Sequence, residues 1–137
     1  IRTELQDASV CREEWKDSAD VVLCDVPCSG LGIIRKKPEI RFKNPDEIRT
    51  LPEIQARILA NCAQYVKKGG TLVYSTCTIL QRENEDVVRA FLAENSDFEA
   101  VSWTHPVCGE RADGMVTLLP PVHNTDGFFI AKMHRKV

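Results

Sequence analysis

The sequence predicts an α/β domain organised on an open, mainly parallel sheet, and three observations lead there. Two short apolar runs, Val21-Val22-Leu23-Cys24 and Thr71-Leu72-Val73-Tyr74-Ser75-Thr76, read as strands buried on both faces, the habit of parallel sheets. A segment with helical periodicity separates them, and a second helical segment follows the second run. Strand, helix, strand, helix at these lengths argues for right-handed βαβ crossovers.

Each element has its own local signals. The first strand is preceded by polar Asp17-Ser18-Ala19-Asp20 and stopped by Asp25-Val26-Pro27. Thr50 and Glu53 have capping-box spacing, and Ile54, Ile58, Cys62 and Tyr65 or Val66 follow at helical intervals. Lys67 and Lys68 suit the negative end of that helix, and Gly69 suits its C-cap. The second helix is expected from about Arg82 to Glu94, with Val87, Val88, Phe91 and Leu92 as its apolar stripe and Glu83 and Glu85 near its positive end. Phe98 to Trp103 reads as a strand. A Pro- and Gly-containing irregular stretch then runs to Asp126, and Gly127 to Met133 forms the last strand. There are no internal repeats and no low-complexity tract.

The 137 residues suffice for one domain burying roughly two-thirds of its unfolded surface. With 43% hydrophobic and 28% charged residues and only seven Gly and seven Pro, collagen, coiled coil and disorder are excluded. No apolar run approaches the roughly 20 residues of a membrane span. Six cysteines are too few for a disulfide-stapled secreted domain, and without a targeting signal the expected compartment is a reducing cytoplasm. Cys11, Cys24, Cys62 and Cys108 read as structural thiols. Cys24-x-x-x-Cys28 lacks the second doublet of a zinc site, and His105, His123 and His134 lie far apart, so no metal is expected.

In open α/β sheets, ligands bind beyond the carboxyl ends of the strands. That directs attention to Asp25–Gly32 and Ser75–Thr78. If the two strands are neighbours they lie roughly 5 Å apart, and Cys28 and Cys77 share one rim. Such thiols are candidate nucleophiles, since strand-end loops facing helix N-termini can lower a thiol's pKa; packing or a disulfide is the alternative for each. The segment Arg35-Lys36-Lys37-Pro38-Glu39-Ile40-Arg41-Phe42-Lys43 carries five bases against one acid. Its local charge of +4 leaves -6 on the rest of a chain whose net is -2. Positive charge beside the rim suits phosphate contact, with Phe42 free to stack or to pack.

These residues resemble a known family. Asp25-Val26-Pro27-Cys28-Ser29-Gly30 is similar to the Asp-Ala-Pro-Cys-Ser-Gly signature of the RNA cytosine-5 methyltransferases of the Sun/Nop family, with Val26 in place of the usual Ala. Ser75-Thr76-Cys77-Thr78, followed by Glu83-Asn84-Glu85, resembles the family's second cysteine motif, and Asp126-Gly127-Phe128-Phe129-Ile130-Ala131 its closing strand. The resemblance implies a Rossmann-like S-adenosylmethionine-dependent sheet with an antiparallel final strand, and a cytidine of ribosomal RNA as substrate. It implies Cys77 as the nucleophile, Cys28 as the residue assisting product release, and Asp25 at the cytosine edge or the cofactor's methionine end beside Pro27. It also places Asp7 on the adenine side of the cofactor and RNA at Arg35, Lys36, Lys37, Arg41 and Lys43. The target base must be unpaired or flipped to reach a thiol. DNA cytosine-5 methyltransferases use their Pro-Cys cysteine as nucleophile, which makes Cys28 the alternative; a non-catalytic RNA-binding or scaffold module is another.

No Gly-x-Gly pattern precedes Asp25, and too few residues precede Val21 for the two βα units that should come first. With Ile1 rather than Met at its start, the chain is expected to be the C-terminal part of a methyltransferase catalytic domain, spanning residues 1–137. The Gly-rich cofactor loop and the N-terminal RNA-binding region are expected outside it. Weak cofactor binding and self-association through an exposed sheet edge follow from that expectation.

Overall fold

The computed structural model describes residues 1–137, and a five-stranded mixed sheet organises them. Strand β1 (Ala19–Asp25) pairs in parallel with β2 (Val66–Thr76), and β7 (Phe128–Arg135) lies antiparallel on the other side of β2. The outer edge of β7 is shared: β6 (Met115–Leu118) takes Phe128 to Ala131, and β3 (Phe98–Ala100) takes Met133 to Arg135. The mainly parallel frame with an antiparallel β7 is the expected α/β sheet. No helix is long and apolar enough to cross a membrane.

The crossover from β1 to β2 carries a short helix α1 (Pro45–Arg49) that runs into α2 (Leu51–Ala63). Helix α3 (Glu85–Glu94) links β2 to β3. One core joins Leu59 and Ala63 of α2, Val87, Val88 and Phe91 of α3, and Cys24, Leu72, Tyr74, Phe129, Ala131 and Met133 of the sheet. Both helices therefore cover the same face. Edge-to-face contacts of Tyr74 with Phe129 and of Phe91 with Phe98 fill that layer.

Several sequence expectations change here. The first strand is not buried on both faces: Cys24 is 2% exposed, whereas Val21 is 64% and Leu23 67% exposed. Neither α2 nor α3 reaches the second face, and the outer edge of β1 is unpaired. Thr50 is not a capping box, because it already has helical angles and its hydroxyl donates to the Glu47 carbonyl at 3.2 Å. The side-chain cap is Asn44, which accepts from the Asp46 N–H and starts α1. Helix α2 is also turned by about one residue. Gln55, Leu59 and Ala63 face inward, while Ile54, Ile58 and Cys62 flank them.

Gly69 does not end α2, which stops at Ala63. It lies within β2 at φ +77°, in a bulge where four residues (67–70) oppose Asp20. Lys67 there bonds Asp20 at 2.9 Å instead of serving the helix terminus. The expected helix from Arg82 is a single 3-10 turn, Gln81–Glu83, broken at Asn84 before α3 begins. The expected strand Phe98–Trp103 divides after Ala100. Its end becomes β4 (Trp103–His105), which forms a separate hairpin with β5 (Gly109–Arg111). The stretch read as irregular thus holds β4, β5, β6 and the short helix α4 (Pro120–His123).

Leu59 is fully buried between α2 and the sheet. Leu59→Ala is expected to cost about 2–5 kcal/mol in urea unfolding with the m-value unchanged. A loss below about 1 kcal/mol would show that this layer does not hold α2 to the sheet.

Candidate active site

Parallel pairing brings the carboxyl ends of β1 and β2 level, with Asp25 opposite Ser75. The chain leaves β1 through Val26-Pro27-Cys28-Ser29-Gly30 and β2 through Cys77-Thr78. The two thiols meet with Cys28 Sγ 3.1 Å from Cys77 Sγ. All six cysteines are free, and these two are half-buried. Burial, then the hydrogen bond with Cys77, pushes the Cys28 thiol up to about 12. An open cavity of about 330 Å³ lies over the pair, lined also by Gly30, Ile33, Lys37, Glu39, Ile40 and Lys43.

Beneath the thiols lies a buried polar frame. The Glu83 carboxylate is fully buried, and its Oε2 accepts from the Ser29 N–H at 2.9 Å and from Gln55 Nε2 at 3.0 Å. Gln55 Nε2 also donates to the Pro27 carbonyl at 3.0 Å. The Ser29 and Thr78 hydroxyls bond at 2.7 Å, Thr76 donates to Asn84 Oδ1 at 2.6 Å, and Asn84 Nδ2 donates to the Thr78 carbonyl at 3.0 Å. Tyr74 donates its hydroxyl to the Glu83 carbonyl at 2.6 Å. Gly32 adds a close approach: its N–H bonds the Cys77 carbonyl, its carbonyl accepts from Gly127, and a Cβ there would lie 2.1 Å from the Gly127 oxygen.

The remaining candidate residues are placed as follows. Asp25 is exposed on the open face of β1, where Ser75 Oγ donates to it at 2.9 Å. Asp7 is exposed and caps its own turn, accepting from the Ser9 N–H and hydroxyl, bonds that lower its pKa. That turn lies against α2, because the carbonyls of Ala8 and Val10 accept from Asn61. Gln55, six residues earlier and about 9 Å up the helix, is at the thiols, so Asp7 is not brought to the rim. Lys37 and Lys43 line the cavity, and Lys43 donates to the Ser29 carbonyl at 2.9 Å. Arg35 and Lys36 instead pair with the buried Asp126, whose pKa falls chiefly through the Lys36 bond. Arg41 lies over the ring of Phe42, which is 83% exposed.

Cys24 lies against Cys62 in the core, not beside Cys28; the neighbouring Cys62 thiol and burial raise its pKa. No group of three or more His, Cys, Asp or Glu side chains is placed to hold a metal ion. Sequence reasoning missed Gln55 as part of the site, and it placed Thr78, Glu83 and Asn84 in the second cysteine motif without their bonds to the loops. The available signal was Gln55, a polar residue within one position of an apolar helical stripe.

A family model described as 16S rRNA methyltransferase RsmB/F matches residues 3–134. The probable ribosomal RNA small subunit methyltransferase B of Bacillus subtilis (strain 168) is 43% identical across 99% of this chain and 32% of its own length. The chain therefore spans about a third of that curated relative. Among solved structures, that of PH0851 is 36% identical with a TM-score of 0.87, over 95% of this chain and 30% of that one. NSun6 from Pyrococcus horikoshii, solved with SFG, shares the fold at a TM-score of 0.73 and 24% identity, over 95% of this chain and 33% of that one. The match over nearly every residue, with both cysteine loops inside it, makes this chain a member of the 16S rRNA methyltransferase RsmB/F family.

Proposed function

We propose that this chain carries the thiol chemistry of a cytosine-5 methylation of ribosomal RNA, with S-adenosylmethionine as methyl donor. The observation that carries the reading is the pair of free thiols 3.1 Å apart at the ends of adjacent parallel strands, beneath an open cavity. The names of the relatives supply the substrate class, ribosomal RNA.

Cytosine C5 becomes nucleophilic only after a thiolate adds to C6. Cys77 is the proposed nucleophile. Cys28, with its pKa pushed up to about 12, stays protonated at neutral pH, which leaves its S–H available to the Cys77 sulfur 3.1 Å away. Cys77 Sγ bonds to C6, and the electron pair this releases lets C5 take up a methyl group. Transfer of the C5 proton to solvent water then re-forms the C5–C6 double bond as the Cys77–C6 bond breaks and its electron pair leaves on the sulfur. Cys28 is the nearest group able to protonate the departing sulfur, which agrees with a role in product release. Asp25 is assigned to the cytosine edge or to the cofactor.

S-adenosylmethionine supplies the methyl group when bound. The exposed Asp25 carboxylate at the end of β1, held by Ser75, fits its ammonium-bearing methionine end, with Pro27 alongside. Asp7 has one carboxylate oxygen committed to Ser9 and the other free for an adenine amino group. Lys37 and Lys43 at the cavity, with Arg35, Lys36 and Arg41 around it, are the proposed phosphate contacts. The chain is proposed as the C-terminal part of the catalytic domain. The unpaired outer edge of β1 is proposed as the site of any self-association, which Val22→Pro in that strand would weaken in sedimentation.

The decisive test incubates the full gene product carrying this sequence with ribosomal RNA containing 5-fluorocytidine. A trapped adduct lost in Cys77→Ala and retained in Cys28→Ala is expected; the opposite pattern transfers the nucleophile to Cys28. Thiol titration gives an independent check. At pH 8 roughly one Cys28 in ten thousand is ionised, so its iodoacetamide labelling, followed by peptide mass spectrometry, is expected to keep rising above pH 10. A half-maximal rate near pH 8.5 would remove the proton-donor role.

A further inference from the structure

The thiol loops stand on a carboxylate, Glu83, that follows the second cysteine motif and has no role assigned to it so far. Glu83 is fully buried, yet it neither caps α3 nor forms an ion pair. Its Oε2 instead collects two donors, the Ser29 N–H and Gln55 Nε2, and the same Gln55 nitrogen holds the Pro27 carbonyl. Pro27 and Ser29 flank Cys28 on either side, so the backbone on both sides of this cysteine is tied to one buried pair. Asn84, the neighbour of Glu83, reaches the second loop, where its Nδ2 holds the Thr78 carbonyl next to Cys77. Burying a carboxylate is costly unless its bonds return that cost. Here one oxygen of Glu83 and the carbonyl oxygen of Gln55 have no partner at all. What the pair satisfies instead is the backbone beside Cys28, since the Ser29 N–H and the Pro27 carbonyl find their partners in these two side chains.

We propose that Glu83, acting with Gln55, is a positioning residue that sets the distance between the Cys28 and Cys77 sulfurs. It touches neither thiol and works through the backbone of the Pro27–Ser29 loop. The proposal rests on the reading of the thiol pair as the reactive centre, and it adds the group that holds the pair in register. The 3.1 Å separation then depends on the carboxylate and not on strand pairing alone.

Thiol–disulfide exchange reads this distance without RNA or methyl donor. One Cys28–Cys77 dithiol and one glutathione disulfide give the protein disulfide and two glutathione thiols, two electrons and two protons passing to glutathione. The equilibrium yields an effective concentration for the pair, with the linkage identified by peptide mass spectrometry. Glu83→Ala is expected to lower that value about tenfold, since Ser29 and Gln55 lose their shared acceptor. Glu83→Asp, which withdraws the carboxylate by one methylene, is expected to lower it about threefold, and Glu83→Gln, which keeps an acceptor oxygen, to stay within about twofold. Leu59→Ala serves as the control for stability, with an unchanged value expected. A folded Glu83→Ala with the wild-type value overturns the proposal; if that variant does not fold, a wild-type value in Glu83→Asp does so. The 5-fluorocytidine adduct of the full gene product separates the two readings. No adduct in the unsubstituted protein rejects the methylation chemistry and leaves the exchange result to decide on Glu83. An adduct that Glu83→Ala leaves undiminished rejects the positioning role.

Discussion

Parallel pairing of β1 with β2 is the constraint on which the site depends. Parallel strands finish on the same side, so the register that sets Asp25 opposite Ser75 also delivers two strand-end loops to one rim. In an antiparallel pair the second loop would emerge from the opposite edge. The pairing in turn requires a crossover, supplied by α2, and it contains a bulge at residues 67–70 between the Ala19–Val66 and Val21–Thr71 pairs. Gly70 makes the bulge possible, because a Cβ there would sit 2.8 Å from Val66 Cγ1 and 2.9 Å from the Lys67 carbonyl oxygen.

The interior is divided along the strand direction. Toward the middle and lower end of the sheet, Leu72, Val66, Leu59, Phe91 and Met133 make an apolar layer that needs only shape and volume. At the rim the same interior becomes polar, with Ser29, Gln55, Thr76, Thr78, Glu83 and Asn84 all buried. A hydrogen-bonded frame adds directional requirements that dispersion lacks, and a partner removed from it leaves a buried group unpaired at about 1–3 kcal/mol. The lower part therefore tolerates substitution by volume, whereas the rim requires particular atoms. That difference suits loops whose backbone must present two sulfurs at a set distance.

The sheet was legible because its signals are local. Apolar runs at β1, β2 and β7, and the separation of the cysteine motifs, are visible without tertiary context. The exposed face of β1 was not legible: Val21 and Leu23 are as apolar as Val22 and Cys24, and only the placement of both helices on one side distinguishes them. Gly69 misled for a related reason, since a left-handed glycine ends a helix or opens a bulge with the same φ. Glu83 followed the second cysteine motif at a distance that suits a first helical turn, and the rule for helix termini assigns such a residue to solvent. Its role depends on Gln55, 28 residues earlier in the chain, and on the backbone of a loop. No local pattern carries that information. The meeting of Cys28 and Cys77 at one rim was legible because the carboxyl ends of both strands fall where the two apolar runs stop.

Charge is arranged on the same plan. The basic segment Arg35–Lys43 is not a uniformly free cationic loop. Asp126, almost buried at the entry to β7, holds Arg35 and Lys36, and Lys43 is turned inward onto the Ser29 carbonyl. The Gly32–Gly127 contact brings that entry against the loop after Cys28. The entry to β7 thus adds to the strand's line of hydrogen bonds, because Asp126 there anchors the basic segment. The pairs with Asp126, whose basic partners Arg35 and Lys36 are largely exposed and screened, contribute little to stability in water. Their effect is on direction, because they fix one end of a segment whose other end is held by Lys43. The +4 segment is therefore tethered at both ends across the thiol cavity, and its charge is held beside the sulfurs.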